Sequence, residues 1–141
     1  MAGRRDRTDL TDETAAPDDG RDIKGIKPMA DHIKITPADG TWIVRAGGAV
    51  LGETKRALEL REGSYPPRIY VPREDMAMSL LQRSSRTSTC PWKGEASYYS
   101  ISTPEATLTD AVWSYEVPKA GVEAIAGHLA FYPDKVTIER V

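Results

Sequence analysis

Pro66 and Pro67 place the tightest local limit on how this chain folds, because neither carries a backbone N–H and each holds the residue before it extended. Gly63-Ser64-Tyr65-Pro66-Pro67 therefore interrupts regular structure and leaves short elements on either side. Upstream, His32-Ile33-Lys34-Ile35-Thr36 alternates polar and apolar residues, and Thr41-Trp42-Ile43-Val44-Arg45-Ala46 resumes a β-rich run beyond the turn residues Pro37-Ala38-Asp39-Gly40. Gly47-Gly48 offers positive φ for another tight turn before Ala49-Val50-Leu51-Gly52. The expectation is three antiparallel strands in succession. Residues 54–62 have a helix-favouring composition, but their apolar positions fit neither period cleanly, and topology favours a strand. Arg68-Ile69-Tyr70-Val71 reads as a short strand ending at Pro72.

Beyond Pro72, Arg73-Glu74-Asp75 puts acidic residues early and Met76, Met78, Leu80 and Leu81 follow, which predicts a helix through Arg83. Residues 84–89 read as a polar loop presenting Cys90. Ala96-Ser97-Tyr98-Tyr99-Ser100-Ile101 and Ala111-Val112-Trp113-Ser114-Tyr115 have strand composition. Trp113 and Tyr115 then share one face, as do Tyr98 and Ser100, and if the two strands are neighbours an aromatic wall forms. Residues 118–126 predict a short helix closed by Gly127. Residues 128–132 and 135–139 predict a final hairpin around Pro133-Asp134. The elements so read are mostly β-strands, with one or two short helices.

Composition narrows the functional classes. The 141 residues suit one domain, expected over residues 31–141, and residues 1–30 are too polar to offset the backbone entropy of ordering, predicting a disordered arm. With 19 basic and 21 acidic residues, the chain has no global field that would gather nucleic acid or an anionic membrane, so neither partner is expected. One cysteine excludes an intramolecular disulfide and a multi-cysteine zinc site, and no metal is expected. No apolar run spans a bilayer and the N-terminus lacks a signal-peptide core, which predicts a cytoplasmic protein.

Most of the distinctive chemistry lies in Cys90-Pro91-Trp92-Lys93-Gly94-Glu95-Ala96-Ser97-Tyr98-Tyr99-Ser100. Lys93, beside a glycine that permits close approach, can bind a phosphate or carboxylate, act as a nucleophile, or pair with Glu62 or Glu95 to tie loop to sheet. Cys90 is either a thiolate nucleophile, with His32 or His128 as its base, or a small buried hydrophobe. Both histidines otherwise read as structural hydrogen-bonding residues. Trp92, Tyr98, Trp113 and Tyr115 can stack on a planar ligand, although at least two of them are expected in the core. Arg56, Arg68, Arg73 and Arg86 are candidate anion clamps, and Asp75 either pairs with Lys93 or Arg68 or favours a helix N-terminus.

Cys90-Pro-x-Lys93-Gly94-x-Ala96-x-Tyr98, followed by Trp113-x-Tyr115 and Pro118 and preceded by Glu62, Tyr70-x-Pro72 and Asp75, resembles the bacterial DUF427 family, a domain of unknown function. Glu53-Thr54 stands where the resemblance leads one to expect Asp-Ser or Asp-Thr. The resemblance implies a mainly β (β-rich α+β) fold over about residues 32–141, a compact folded antiparallel sheet of the Mss4-like kind with one or two short helices, which agrees with the strand count and lacks the zinc site that such folds build from several cysteines. The family has been labelled as predicted nucleotidyltransferases, but this chain has neither that superfamily's Gly-Ser plus paired-aspartate pattern nor a Walker-type loop. Residue chemistry and resemblance lead to a polar-aromatic pocket built from Glu62, Tyr70, Cys90, Lys93, Trp113 and Tyr115, with Tyr98 also in contact with the ligand, binding a small anionic or planar metabolite. No cofactor and no oligomeric state is specified. The alternatives are a small enzyme using Cys90 or Lys93, with Tyr98 or Tyr115 in acid–base work, and a protein–protein interaction module.

Overall fold

A computed structural model describes residues 32–141 throughout, together with two two-residue strands, Thr11–Asp12 and Thr14–Ala15. Apart from those four residues, the expected disordered arm lies outside the described residues. Counted from Ile33, the strands are β1 (Ile33–Pro37), β2 (Trp42–Ala46), β3 (Ala49–Thr54), β4 (Leu58–Glu62), β5 (Arg68–Pro72), β6 (Leu81–Cys90), β7 (Gly94–Ser102), β8 (Thr107–Ser114), β9 (His128–Phe131) and β10 (Thr137–Arg140). Among the described residues, the helical elements are single 3-10 turns at Arg73–Asp75, Met78–Leu80 and Glu123–Ile125. The protein is mainly β, and among the described residues no helix is long and apolar enough to cross a membrane.

A seven-stranded sheet runs in the order β1-β4-β5-β9-β8-β7-β6, and a three-stranded sheet in the order β10-β2-β3. Neighbouring strands in both are antiparallel. The larger sheet is covered on both faces, and the period-two alternation of strand side chains decides which residue goes where. Val71, Tyr99, Val112, Leu129 and Phe131 face a core shared with Val44 and Leu51 of the smaller sheet. Their chain neighbours Tyr70, Tyr98, Trp113 and Ala130 point the other way, into a second cluster with Leu60, Tyr115, Val122 and Ile125. Val44, Val71, Val112 and Leu129 are fully buried, each contributing on the order of 1.5 to 3 kcal/mol. A one-residue slip would exchange the faces, so burial on the core side fixes which aromatics reach the other side.

Four expectations are corrected. The helix through Arg83 is absent: Ala77 N–H donates to the Leu51 carbonyl at 2.7 Å and Met76 bridges Gly52, so these backbone groups pair sideways with β3. The polar loop at residues 84–89 is part of strand β6, whose register against β7 shifts between Arg83 and Thr87. The helix at residues 118–126 shrinks to Glu123–Ile125, after Gly121 at a φ of 96°. Neither β1 and β2 nor β9 and β10 form a hairpin; β1 pairs with β4, and β10 crosses to β2 in the other sheet. The β2–β3 hairpin and strand β4 stand where the sequence puts them.

Candidate functional site

The second face of the large sheet carries the site. On β7 and β8, Tyr98 and Trp113 are direct register partners, so the aromatic wall forms between neighbouring strands. Two bulges shape it: residues 109–111 stand opposite Ser100, where Asp110 takes a φ of 51° and donates its N–H to Ser100 Oγ at 3.0 Å, and residues 84–86 stand opposite Tyr98. Glu62 ends β4 and Tyr70 lies in mid β5. Lys93 occupies the turn between β6 and β7, fixed by its carbonyl accepting from Lys119 N–H at 3.0 Å. Gly94 has a φ of 112°, while a Cβ there would meet only ordinary contacts, so backbone conformation is what the glycine supplies.

Glu62, Tyr70, Lys93, Tyr98, Trp113 and Tyr115 come together around a cavity of about 420 Å³. Leu60, Arg68 and Tyr132 complete the wall, and Tyr65 and Pro66 bring in the proline-rich loop, with Tyr65 largely exposed. The volume lies in the range of small-molecule sites, and the combination of aromatic walls with a few placed polar groups is the usual one. Trp113 Nε1 donates to Tyr70 Oη at 3.2 Å, and the Trp113 ring lies 4.8 Å from that of Tyr132. Tyr98 Oη and Ser88 Oγ share a hydrogen bond of 2.8 Å.

At the polar end, Lys93 Nζ donates to Glu62 Oε1 at 2.6 Å, while His32 Nε2 lies 3.5 Å from Glu62 Oε2. Burial alone would raise the Glu62 carboxyl, but the His32 hydrogen bond and the charge and hydrogen bond of Lys93 bring it down to about 2. Burial likewise opposes the Lys93 ammonium, yet Cys90 and Glu62 hold it above the ordinary lysine value. Burial pushes the Tyr70 and Tyr115 phenols up. At neutral pH the cavity therefore presents an ammonium, a carboxylate and protonated phenols. An ammonium offers three donors, one of which goes to Glu62, and the Tyr115 ring centroid lies 5.8 Å from Nζ. This is a donor-rich wall suited to acceptor oxygens, and a lysine held as ammonium has no lone pair for nucleophilic attack.

The other candidates lie elsewhere. Cys90, expected to help build the pocket, is corrected: it is half-buried and packs against the second cluster, outside the cavity lining. His32 meets Trp92 edge-on at 4.9 Å, whereas His128 is held by the Ala126 carbonyl. Asp75 is engaged by Arg56 Nη2 at 2.9 Å and Thr54 Oγ1 at 2.7 Å, which corrects both the pairing with Lys93 or Arg68 and the helix-capping role. Arg73 serves as a brace: it donates to the Gly127 carbonyl, Ser114 Oγ, Tyr99 Oη and Glu116 Oε2. Glu116 had no signal in the sequence because its partners are scattered along it. Leu60, Tyr65, Pro66 and Tyr132 were missed for a similar reason, although the proline pair did mark the loop.

A second concavity of about 390 Å³ lies at residues 45–50 with Lys135 and Thr137, and it is lined without aromatics. Among the described residues, no three His, Cys, Asp or Glu side chains gather as a metal site. A family profile described as a domain of unknown function (DUF427) matches residues 34–141. No curated protein matches the chain.

Proposed function

The chain belongs to the DUF427 family, and from that premise we propose that it binds a small anionic or planar metabolite in the cavity around Lys93 and Trp113. The observation that carries this reading is the lining itself: an ammonium–carboxylate pair with a buried lysine, protonated phenols and an indole face about 420 Å³ of space. The indole and phenol rings take the planar part of the ligand, and the Lys93 N–H groups not used by Glu62 donate to its acceptor oxygens. Binding is favoured over covalent catalysis because Lys93 stays protonated and Cys90 does not line the space.

The test is a thermal-shift screen of nucleotides, nicotinamides, flavins, acyl-CoA and small carboxylates, with Lys93→Met and Trp113→Leu beside the parent chain. A ligand at about 100 times its Kd adds roughly 2.7 kcal/mol, which raises the Tm of a domain this size by several degrees. The reading expects at least one such ligand, with its shift lost in both variants. A ligand whose shift is unchanged in both places binding elsewhere.

A further inference from the structure

The inference rests on the cavity reading above and names the chemistry of its ligand. Inside the cavity the positive charge is already balanced, since Lys93 lies 2.6 Å from an ionised Glu62. The unbalanced charge stands on the solvent side. Arg68, exposed and part of the lining, holds its guanidinium carbon 5.8 Å from the Trp113 ring centroid. Arg86, also exposed and just outside the lining, holds its own 4.2 Å from the ring centroid of the lining residue Tyr98. Because Trp113 and Tyr98 are register partners, the two guanidiniums cover neighbouring rings. The β6 bulge that sets residues 84–86 opposite Tyr98 is what carries Arg86 there.

Among the described residues, neither Arg68 nor Arg86 has a carboxylate within ion-pair distance, whereas Arg45, Arg56, Arg61, Arg73 and Arg83 each do. An oxyanion lying between Arg68 and Arg86 would accept from both in the planar, forked geometry that guanidinium favours. We propose that Arg68 and Arg86 clamp the oxyanion of a ligand whose planar ring enters beside Trp113. The ligand class is an aromatic ring bearing a carboxylate or phosphate.

Calorimetric titration with matched probes tests this: 1-naphthoate against neutral 1-naphthamide, and 1-naphthyl phosphate against 1-naphthol. Both arginines are exposed, so Arg68→Gln and Arg86→Gln, singly and together, are expected to fold. In the parent chain at least one anion should bind roughly tenfold or more tightly than its neutral counterpart, less so at high salt, and the two pairs separate carboxylate from phosphate. The double variant should bind charged and neutral rings alike, at the affinity the parent shows for the neutral ring. Equal affinities in the parent, or a preference that survives the double substitution, would overturn the clamp. If binding is then still lost on Trp113→Leu, the cavity reading stands without it. Failure of all four probes to bind would overturn the aromatic-oxyanion class.

Discussion

Lys93 Nζ and Glu62 Oε1 lie 2.6 Å apart with the lysine side chain 10% and the glutamate side chain 21% exposed, joining the β6–β7 turn to the end of β4. One contact therefore ties together two sequence-distant pieces of the cavity wall and sets the charge of its polar end.

Removing one partner strands the other. Lys93→Met should destabilise the fold by about 3 kcal/mol, the lower part of the range for a broken buried pair because Glu62 keeps some solvent. Adding Glu62→Gln to Lys93→Met should recover most of that loss. Urea denaturation of the two variants checks it, and a single variant as stable as the parent would contradict it.

The same pair makes a pH prediction. Folding lowers the Glu62 carboxyl from 4.5 to about 2, so its contribution is fully present above the unfolded value and is lost as pH falls through the folded one. Stability should therefore fall between about pH 4.5 and pH 2, with up to about 3 kcal/mol of the loss traceable to this group. Denaturation across that window should be flatter for Glu62→Gln. Lys93 has the opposite sign: its raised value stabilises below the ordinary lysine value and the contribution fades as pH rises through the folded one.

Arg73 braces the back of the sheet. It donates at 2.7 Å to the Gly127 carbonyl and at 3.0 Å to Glu116 Oε2, and Tyr99 Oη donates to that same carboxylate oxygen at 2.5 Å. Arg73→Ala should cost about 2 to 3 kcal/mol, with Tyr99→Phe costing about half as much. Chemical denaturation distinguishes this from a solvated surface arginine, whose loss would change stability by less than about 0.5 kcal/mol.

Gly52 is needed for space rather than for backbone conformation. A Cβ there would run into the Asp75 backbone carbonyl, at the point where β3 bridges Met76. Gly52→Ala should destabilise by about 1 to 3 kcal/mol, because a backbone atom cannot turn aside as a side chain can. A variant with unchanged urea midpoint would mean that the bridge yields.

Local patterns made the strands legible where each pairs with its own neighbour in sequence, as in the β2–β3 hairpin across Gly47-Gly48. They misled where pairing is distant. Ile33 meets Glu62 and Trp42 meets Arg140, and no turn signal reports contacts that far apart. The expected helix failed for the same reason: Met76 and Ala77 pair with Gly52 and Leu51 of β3, a contact far away in sequence, which leaves only the 3-10 turns Arg73–Asp75 and Met78–Leu80. Strand β6 read as a loop because its serines and threonines lie on an outer edge of the sheet, where polar side chains face water. At the site, Tyr98 and Trp113 were readable as strand aromatics, and the bulges that aim them were not.

Nuclear magnetic resonance mapping of a bound ligand tests the central claim most directly, because Trp42, Trp92 and Trp113 each give an indole N–H signal and only Trp113 lines the cavity. The account predicts that any ligand from the thermal screen shifts the Trp113 indole and the backbone amides of Glu62, Lys93 and Tyr98, leaving Trp42 unmoved. Shifts confined to residues 45–50, at the second concavity, or absent from Trp113 altogether would contradict it.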